Sequence, residues 1–222
     1  MITGNLKFDI ELPAGQLKQG EAWRRRYGED RPVLLAASTR DGEEAVLLDA
    51  LERIAVPRLL TVIVPRHPQR FDEIAALLER RNIRYQRRSR DEPVAPDTRI
   101  VLGDSMGEMF AYYAACDVAF VGGSLLPFGG QNLIEACAAG KPVLFGPHTY
   151  NFAEAAESAV AVGAALRVAD AGELMREAQR LLTDAGAAAR MGEAGLAFSK
   201  AHRGATKRLL EFIRWQKAGN GE

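Results

Sequence analysis

Apolar residues along the chain fall into short runs of strand length, separated by longer stretches in which apolar positions recur at helical spacing. Runs that are apolar at successive positions are typical of strands buried on both faces of a parallel sheet. Helical stretches between such strands indicate right-handed crossovers, so the pattern predicts an α/β fold with a doubly wound, Rossmann-like parallel sheet. The predicted strands are residues 33–37, 59–64, 100–102, 118–121 and 142–145, with shorter edge strands near 84–87 and 164–168.

Helical periodicity fills most of the intervals between these strands. After about residue 170 the pattern becomes wholly helical, and we expect these last helices to cover one face of the sheet. A polar connector at 89–98 is too short to be an interdomain linker, so residues 1–222 are predicted to form one domain. Residues 1–9 are expected to lead into that domain from a segment upstream. The predicted helices lie near 42–54, 69–81, 107–115, 131–139 and 151–161. Further helical segments extend to Leu182 and to Ser199, and a last helix is predicted over 207–215.

Composition narrows the classes of function. The chain has 29 Lys and Arg against 29 Asp and Glu, so it lacks the positive charge that nucleic-acid binding requires. Cys116 and Cys137 stand among alanines without a His or Cys at metal-ligand spacing, which predicts buried thiols. The absence of a signal peptide and of an 18-residue apolar stretch predicts an intracellular chain without a membrane span. A basic stretch at 79–90 is expected to be a solvated edge, with contact to anionic lipid headgroups as the alternative.

Residues 122–135 form the most distinctive loop, because they place four glycines between a predicted strand and a predicted helix. Glycine permits positive φ and close backbone approach, and a helix start offers free N–H groups with a partial positive charge. We expect free amides there to bind a phosphate. Glu135, one turn into the helix, is placed to accept two hydrogen bonds from a ribose diol. The alternative is a glycine-rich turn with a capping Glu. The spacing differs from that of the dinucleotide fingerprint, which argues against a nicotinamide or flavin enzyme.

Three other loops follow predicted strands, where ligands of open parallel sheets collect. In residues 38–44, Ser38 or Thr39 is a candidate helix cap and Arg40 a candidate phosphate contact. The alternative is a capping box with a solvated Arg. In residues 65–68 two prolines hold Arg66 and His67 in a rigid segment; solvated side chains are the alternative.

The loop at 103–109 places Met106 where it can press against a flat nucleobase. The alternative is an ordinary helix start, capped by Asp104 or Ser105. If this loop is considered without the others, the helix start is favoured over the nucleobase contact. For His148, in the loop after the strand at 142–145, the sequence favours a substrate contact and a structural histidine equally.

At these loops the sequence resembles the 3-deoxy-D-manno-octulosonic acid (Kdo) transferases of lipopolysaccharide synthesis, which have the GT-B glycosyltransferase fold. The resemblance covers essentially the whole chain and matches the carboxyl-terminal half of that family. The segments that carry it are residues 65–68, 103–108, 122–125 with 129–132, and 140–143 with 146–152.

In that family the carboxyl-terminal half binds the donor, CMP-Kdo. By analogy with GT-B enzymes, Glu135 would hold the ribose and the turn at 129–132 the phosphate. The sequence departs from the family at Gln131 and Arg40, where His is expected, so no side-chain role carries over to either. The resemblance implies a CMP site lined by Pro65, Arg66, Met106, Gly107, Glu108, Asn132, Leu133, Ile134 and Glu135, with Ser38, Thr39, Arg40, Ser124, Gly129, Gly130 and Gln131 as further candidates.

The family's catalytic base and acceptor site lie in its amino-terminal half, so the resemblance implies no catalytic residue in this chain. We therefore expect the chain alone to bind CMP or CMP-Kdo without transferring sugar. The whole enzyme would move Kdo to a lipid A precursor with inversion, without a metal or cofactor, at the cytoplasmic face of the inner membrane. Two alternatives stay open: a UDP-sugar enzyme of the same fold, such as an N-acetylglucosaminyltransferase or a 2-epimerase, and a non-catalytic nucleotide-sensing module.

Overall fold

A computed structural model describes residues 12–202, so the predictions made for residues 1–9 and 207–215 lie outside the described residues. All strands of the described chain belong to one parallel sheet, in the order β3-β4-β2-β1-β5-β6-β7. Every predicted strand is present, most within one residue of its predicted ends. The strands are β1 (Val33–Thr39), β2 (Leu60–Pro65), β3 (Tyr85–Arg87), β4 (Ile100–Leu102), β5 (Val118–Val121), β6 (Val143–Phe145) and β7 (Ala165–Arg167).

Helices follow nearly every strand, as the pattern predicts. Two single 3₁₀ turns, Pro68–Arg70 and Arg88–Arg90, follow β2 and β3. The α-helices are α1 (Ala14–Tyr27), α2 (Glu43–Leu51), α3 (Phe71–Arg80), α4 (Met109–Ala115), α5 (Ile134–Ala138), α6 (Ala153–Ala161), α7 (Ala171–Thr183) and α8 (Ala185–His202).

Helix α1 is the element that the sequence analysis missed. Its composition is strongly polar, with three arginines in its last turn. Only a narrow stripe of small and aromatic residues faces the protein, where Gly20, Trp23 and Tyr27 are buried against α4. Gly20, Trp23 and Tyr27 are three and then four residues apart, and this helical spacing was a signal in the sequence for α1.

The sheet separates two hydrophobic cores, because neighbouring residues of a strand point to opposite faces. Leu35 and Ala37 of β1 join the core that contains α1, α4, α5 and α6, whereas Leu34 and Ala36 join the core beneath α2, α3 and α7. Cys116 and Cys137 are free, buried thiols in the first core, as predicted. No helix within residues 12–202 is long and apolar enough to cross a bilayer.

The helices after residue 170 do not share one face, so that prediction is wrong. Helix α7 packs with α2 on one side, while Phe198 of α8 lies in the opposite core and α8 packs along α5. The extended backbone of Asp184 ends α7, and its carboxylate accepts a hydrogen bond from the amide of Ala187 to start α8. This break lets the chain change faces, which periodicity within either helix does not reveal.

Because all strands are parallel, their carboxyl ends lie along one edge of the sheet. Strand β1 pairs with β2 on one side and with β5 on the other, so the chain reverses its direction of winding between β1 and β5. Ligands of open α/β sheets bind at such a switch point. The strand ends at Val64, Leu102 and Val121 therefore open toward a common region.

Gly20 allows the close approach of α1 and α4, and its replacement tests that packing. A Cβ at this position would lie 2.4 Å from Ala114 Cβ and 2.5 Å from the Ala111 carbonyl oxygen. We expect Gly20→Ala to lower the free energy of unfolding by about 1–3 kcal/mol, measured by urea denaturation.

Gly15 provides the matched control, since it lies in the same helix and a Cβ there meets nothing within 4 Å among residues 12–202. Gly15→Ala should leave the stability unchanged or raise it by up to about 1 kcal/mol. Equal effects of the two substitutions would contradict the proposed contact.

Candidate functional site

A cavity of about 350 Å³ opens at the carboxyl edge of the sheet, beside the switch point. Loops after β1, β2, β4 and β5 all contribute to its walls, so four chain segments distant in sequence converge there. The lining residues are Ser38, Val64, Pro65, Arg66, Ser105, Met106, Gly107, Glu108, Met109, Tyr112, Tyr113, Gln131, Asn132 and Glu135.

The structure divides the predicted site residues into two groups. Nine of them line the cavity: Ser38, Pro65, Arg66, Met106, Gly107, Glu108, Gln131, Asn132 and Glu135. Seven do not: Thr39, Arg40, Ser124, Gly129, Gly130, Leu133 and Ile134. Among the seven, the side chains of Leu133 and Ile134 are buried in the core, so they support the loop from behind.

The backbone amides of the glycine-rich loop are not free where the sequence led us to expect them. The carboxylate of Glu43, which is fully buried, accepts hydrogen bonds from the amides of Gly123 at 2.6 Å, Ser124 at 3.0 Å and Leu125 at 2.9 Å. It also accepts one from the amide of Arg40 at 2.8 Å. The expectation of open amides at 123–125 is therefore wrong, because an internal anion already occupies them. No local pattern revealed this role of Glu43.

Ser124 and Thr39 have structural hydrogen bonds in place of the predicted ligand contacts and cap. The Ser124 hydroxyl donates to the Val121 carbonyl at 2.6 Å and accepts from the Gly146 amide at 2.8 Å. The Thr39 hydroxyl donates to buried Glu44 at 2.6 Å. Helix α2 has no side-chain cap, so the prediction that Ser38 or Thr39 caps it is wrong.

Ser38 lines the cavity with a left-handed backbone, at φ 56°. It lies at an irregularity in the pairing of β1 with β2, between Ala37 and Thr39. Gly122 packs directly beside it, where a Cβ would lie 2.7 Å from Thr39 Cα. This close approach of two strand ends requires glycine at position 122.

Helix α5 is shorter than predicted, since it has five residues and begins only at Ile134. A helix of barely one turn contributes little macrodipole. The amides of Gln131 and Asn132, both at the cavity, donate to no acceptor within residues 12–202. The available main-chain donors therefore lie just before the helix and not in the first part of the glycine loop.

Glu135 presents a carboxylate to the cavity. Asn132 orients it, because the Asn132 side-chain amide donates to Glu135 Oε1 at 3.2 Å while its own oxygen accepts from the amide of Ile134 at 3.1 Å. The second oxygen of Glu135 has no hydrogen-bond donor among the described residues. Burial raises the pKa of Glu135, and the Asn132 hydrogen bond and the charge of Arg66 oppose that shift.

Two cations, Arg66 at the cavity and Arg40 outside its lining, lack a carboxylate partner in the part of the chain that the structure describes. Arg66 lies on the rim, and Arg40 lies with its guanidinium 4.9 Å from the centre of the Phe128 ring. The pKa of His67 is lowered, first by burial and then by the charges of Arg40, Arg66 and Arg70. The mouth is therefore electropositive, which suits an anionic ligand.

The turn after β4 forms the opposite wall of the cavity. Met106 is 52% exposed, and Gly107 has a positive φ of 76°. Gln16 of α1 donates to the Gly107 carbonyl at 2.8 Å, and Gln19 donates to Glu108 at 2.5 Å. The missed helix α1 thus holds this turn in place.

The basic stretch at 79–90 is largely ion-paired. Arg81 pairs with Asp49, Arg84 with Asp97, Arg87 with Asp72 and Arg88 with Glu108. Among the described residues only Arg80 and Arg90 of this stretch lack a carboxylate partner. These pairs favour the solvated-edge interpretation, and lipid contact stays a prediction.

A second cavity, of about 340 Å³, lies at the opposite, amino edge of the sheet and contains none of the predicted site residues. Buried Arg31 lines it and donates to the main-chain carbonyls of Arg58, Ala95 and Thr98. Its guanidinium therefore fastens loops at the strand starts.

Comparisons with known proteins agree with this architecture. Residues 45–198 match the family model for glycosyl transferases group 1. The chain is 51% identical to a 3-deoxy-D-manno-octulosonic acid transferase of Bordetella pertussis, over 96% of this chain and 50% of that protein. It is 39% identical to the enzyme of that name from Haemophilus influenzae, over 96% of this chain and 51% of that protein. The chain thus spans about half the length of these curated relatives.

A solved structure matches this chain over nearly the whole length of the solved chain. The crystal structure of the C-terminal CMP-Kdo binding domain of WaaA from Acinetobacter baumannii superimposes with a TM-score of 0.79 and 32% identity. The match covers 84% of this chain and 98% of that chain.

Replacing Glu43 tests whether its charge holds the glycine loop. In Glu43→Gln one carboxylate oxygen becomes an NH₂ group that faces two main-chain N–H donors. We expect the free energy of unfolding to fall by about 3 kcal/mol in urea denaturation, as for the loss of charge-assisted hydrogen bonds to a buried group.

Glu52, an exposed carboxylate at the end of the same helix, is the matched control. Glu52→Gln should change the stability by less than about 0.5 kcal/mol. A Glu43→Gln protein as stable as this control would show that the loop does not depend on the buried charge.

Proposed function

The chain belongs to the group 1 glycosyl transferases, and on that premise we propose that it is the donor-binding domain of a Kdo transferase. In this proposal the cavity at the carboxyl edge of the sheet binds the cytidine monophosphate part of CMP-Kdo. The lipid A precursor, as acceptor, would be bound elsewhere in the whole enzyme.

The resemblance to Kdo transferases and the predicted fold, the carboxyl-terminal half of a GT-B glycosyltransferase, are both confirmed by these similarities. The matching crystal structure from Acinetobacter baumannii is described as a C-terminal CMP-Kdo binding domain. That description supports the same donor for this chain.

The observation that carries the proposal is the convergence of three separate segments on one cavity. Pro65 and Arg66, the turn at 106–108 and the segment from Gln131 to Glu135 line it together, although they are far apart in sequence. A nucleotide needs donors for its phosphate, an acceptor for its ribose and a flat apolar contact for its base. The cavity offers all three among these segments.

The chemistry of the walls suggests how the nucleotide lies. The unpartnered oxygen of Glu135 would accept hydrogen bonds from the ribose hydroxyls. Arg66, with Arg40 nearby and the amides of Gln131 and Asn132, would bind the phosphate. The thioether of exposed Met106 would pack against the pyrimidine ring.

During transfer, the bond between the anomeric carbon and the CMP phosphate breaks, and negative charge grows on the phosphate. Fixed cations and amides around that phosphate stabilise the departing group, and we propose that they do so without a divalent cation. Attack by the acceptor hydroxyl from the opposite side of the anomeric carbon would invert its configuration. The general base for that hydroxyl would lie in the half of the enzyme that this chain does not span.

We therefore propose that the chain assayed alone binds the donor nucleotide but does not transfer Kdo. Loss of a general base costs about 10²- to 10⁴-fold in rate, and loss of acceptor positioning adds to it. For the whole enzyme we propose the cytoplasmic face of the inner membrane as the place of reaction, where a lipid acceptor is accessible.

Calorimetric titration with CMP and UMP tests the donor assignment. We expect saturable binding of CMP and at least about tenfold weaker binding of UMP, together with no measurable Kdo transfer to a lipid A precursor. Tighter binding of UMP or UDP would favour a UDP-sugar enzyme. Transfer by the chain alone would contradict the division of roles, whereas an inactive full-length protein that still binds CMP would indicate a nucleotide sensor.

The raised pKa of Glu135 predicts a pH dependence of binding. The ionised carboxylate accepts from both ribose hydroxyls, so affinity should be full above the raised pKa and fall as the pH drops through it. The probe is a methyl ester of CMP, because its phosphodiester does not titrate in this range. Calorimetry over a pH series gives the midpoint.

Two variants assign that midpoint. Glu135→Gln should bind more weakly and lose the wild-type midpoint, so that only protonation of the cytosine ring affects binding at low pH. Arg66→Gln removes a charge that lowers the Glu135 pKa, so its midpoint should move to higher pH, whatever its absolute affinity. A pH profile unchanged in Glu135→Gln would exclude Glu135 as the titrating group.

A further inference from the structure

Glu108 belongs to the turn that lines the cavity, yet its carboxylate is bonded away from it. Its Oε1 accepts from Gln19 of α1 at 2.5 Å and from Arg88 at 2.9 Å. Its Oε2 is buried and has no hydrogen-bond partner within residues 12–202. Both described hydrogen bonds of the carboxylate thus lead to side chains outside the turn, which brace it.

Arg88 connects this carboxylate to the hydrophobic core. Its guanidinium lies 4.3 Å from the centre of the Trp23 ring, a cation–π distance. Its Nε is buried without a hydrogen-bond partner, and its only other carboxylate neighbour within 4 Å among the described residues is Asp91, at 3.7 Å. The main anchors of Arg88 are therefore Glu108 on one side and Trp23 on the other.

The contacts then return to the same loop. Trp23 packs against Tyr112, with ring centres 4.8 Å apart, and the Tyr112 hydroxyl shares a 2.8 Å hydrogen bond with Ser105. Ser105 and Tyr112 both line the cavity. We call the chain of contacts Glu108, Arg88, Trp23, Tyr112 and Ser105 the Trp23 bridge. It begins and ends on the loop that follows β4.

From this closed path we propose that Arg88 and Glu108 are positioning residues, which hold the turn at 106–108 in the conformation that receives the nucleotide, and that Trp23 reports occupancy of the site. The inference rests on the proposed function. The turn needs such support because Gly107 has a positive φ and nothing lies within 4 Å of its Cβ position. Its geometry is set from outside, by side chains of α1 and by Arg88.

The binding test compares Arg88→Gln and Glu108→Gln with wild type by CMP calorimetry. Each substitution removes the charged hydrogen bond between the two groups, so we expect the Kd for CMP to rise about tenfold. The double variant should bind no more weakly than either single variant, because both break the same contact. Arg90→Gln is the matched control, as Arg90 lies in the same 3₁₀ turn without an ion pair, and its Kd should match wild type.

The second test uses fluorescence. The chain has two tryptophans, Trp23 and Trp215, so Trp215→Phe leaves Trp23 as the only reporter. CMP should change its emission in a saturable manner, since the nucleotide binds at the turn whose Glu108 is paired with the guanidinium beside the indole ring. The change should disappear in the variant that also carries Arg88→Gln.

The outcomes separate the two proposals. Failure of wild type to bind CMP would overturn the proposed function itself. If wild type binds CMP while folded Arg88→Gln and Glu108→Gln bind as well as Arg90→Gln, only the positioning role is overturned, even if their melting temperatures are lower. Should Arg88→Gln fail to fold, Glu108→Gln, which keeps the side-chain volume, decides the question alone.

Discussion

A fully buried carboxylate, that of Glu43, fastens the start of α2 to the glycine loop after β5. Four main-chain N–H groups converge on it, from Arg40 and from three successive residues of the loop. Burial of a charge without such donors would be strongly unfavourable. With them, the same charge fixes the relative positions of two strand ends at the switch point of the sheet, and the walls of the cavity depend on that fixed position.

Buried charge is balanced in a similar way beneath the mouth of the cavity. Glu44 accepts from Thr39 and pairs with Arg70 at 2.8 Å, and burial raises its pKa against these partners. The interior carboxylates take Arg70 and the amides at 123–125, whereas Arg66 and the amides of Gln131 and Asn132 have no such partner among the described residues and line the cavity. Internal neutralisation thus decides which cations and amides are left for a ligand.

The loop after β4 illustrates a division between the surface that meets a ligand and the residues that shape it. Gly107 and Met106 face the cavity, whereas Gln16, Gln19 and Arg88 act on the turn from the rear. Two of these supports come from α1, 91 and 89 positions earlier in the chain. A resemblance in sequence identifies the turn, but the supports lie outside the motif.

Strand and helix periods are local properties, so the spacing of apolar residues was enough to predict the seven described strands and the helices that follow them. It also identified the loops of the site, since parallel strands must end at a common edge. Which of the groups at that edge stay open to a ligand depends on the folded chain. Glu43 takes amides eighty residues away, α7 and α8 separate to opposite faces, and polar α1 forms because α4 covers its narrow stripe. Each of these outcomes depends on contacts between distant residues, which no local pattern encodes.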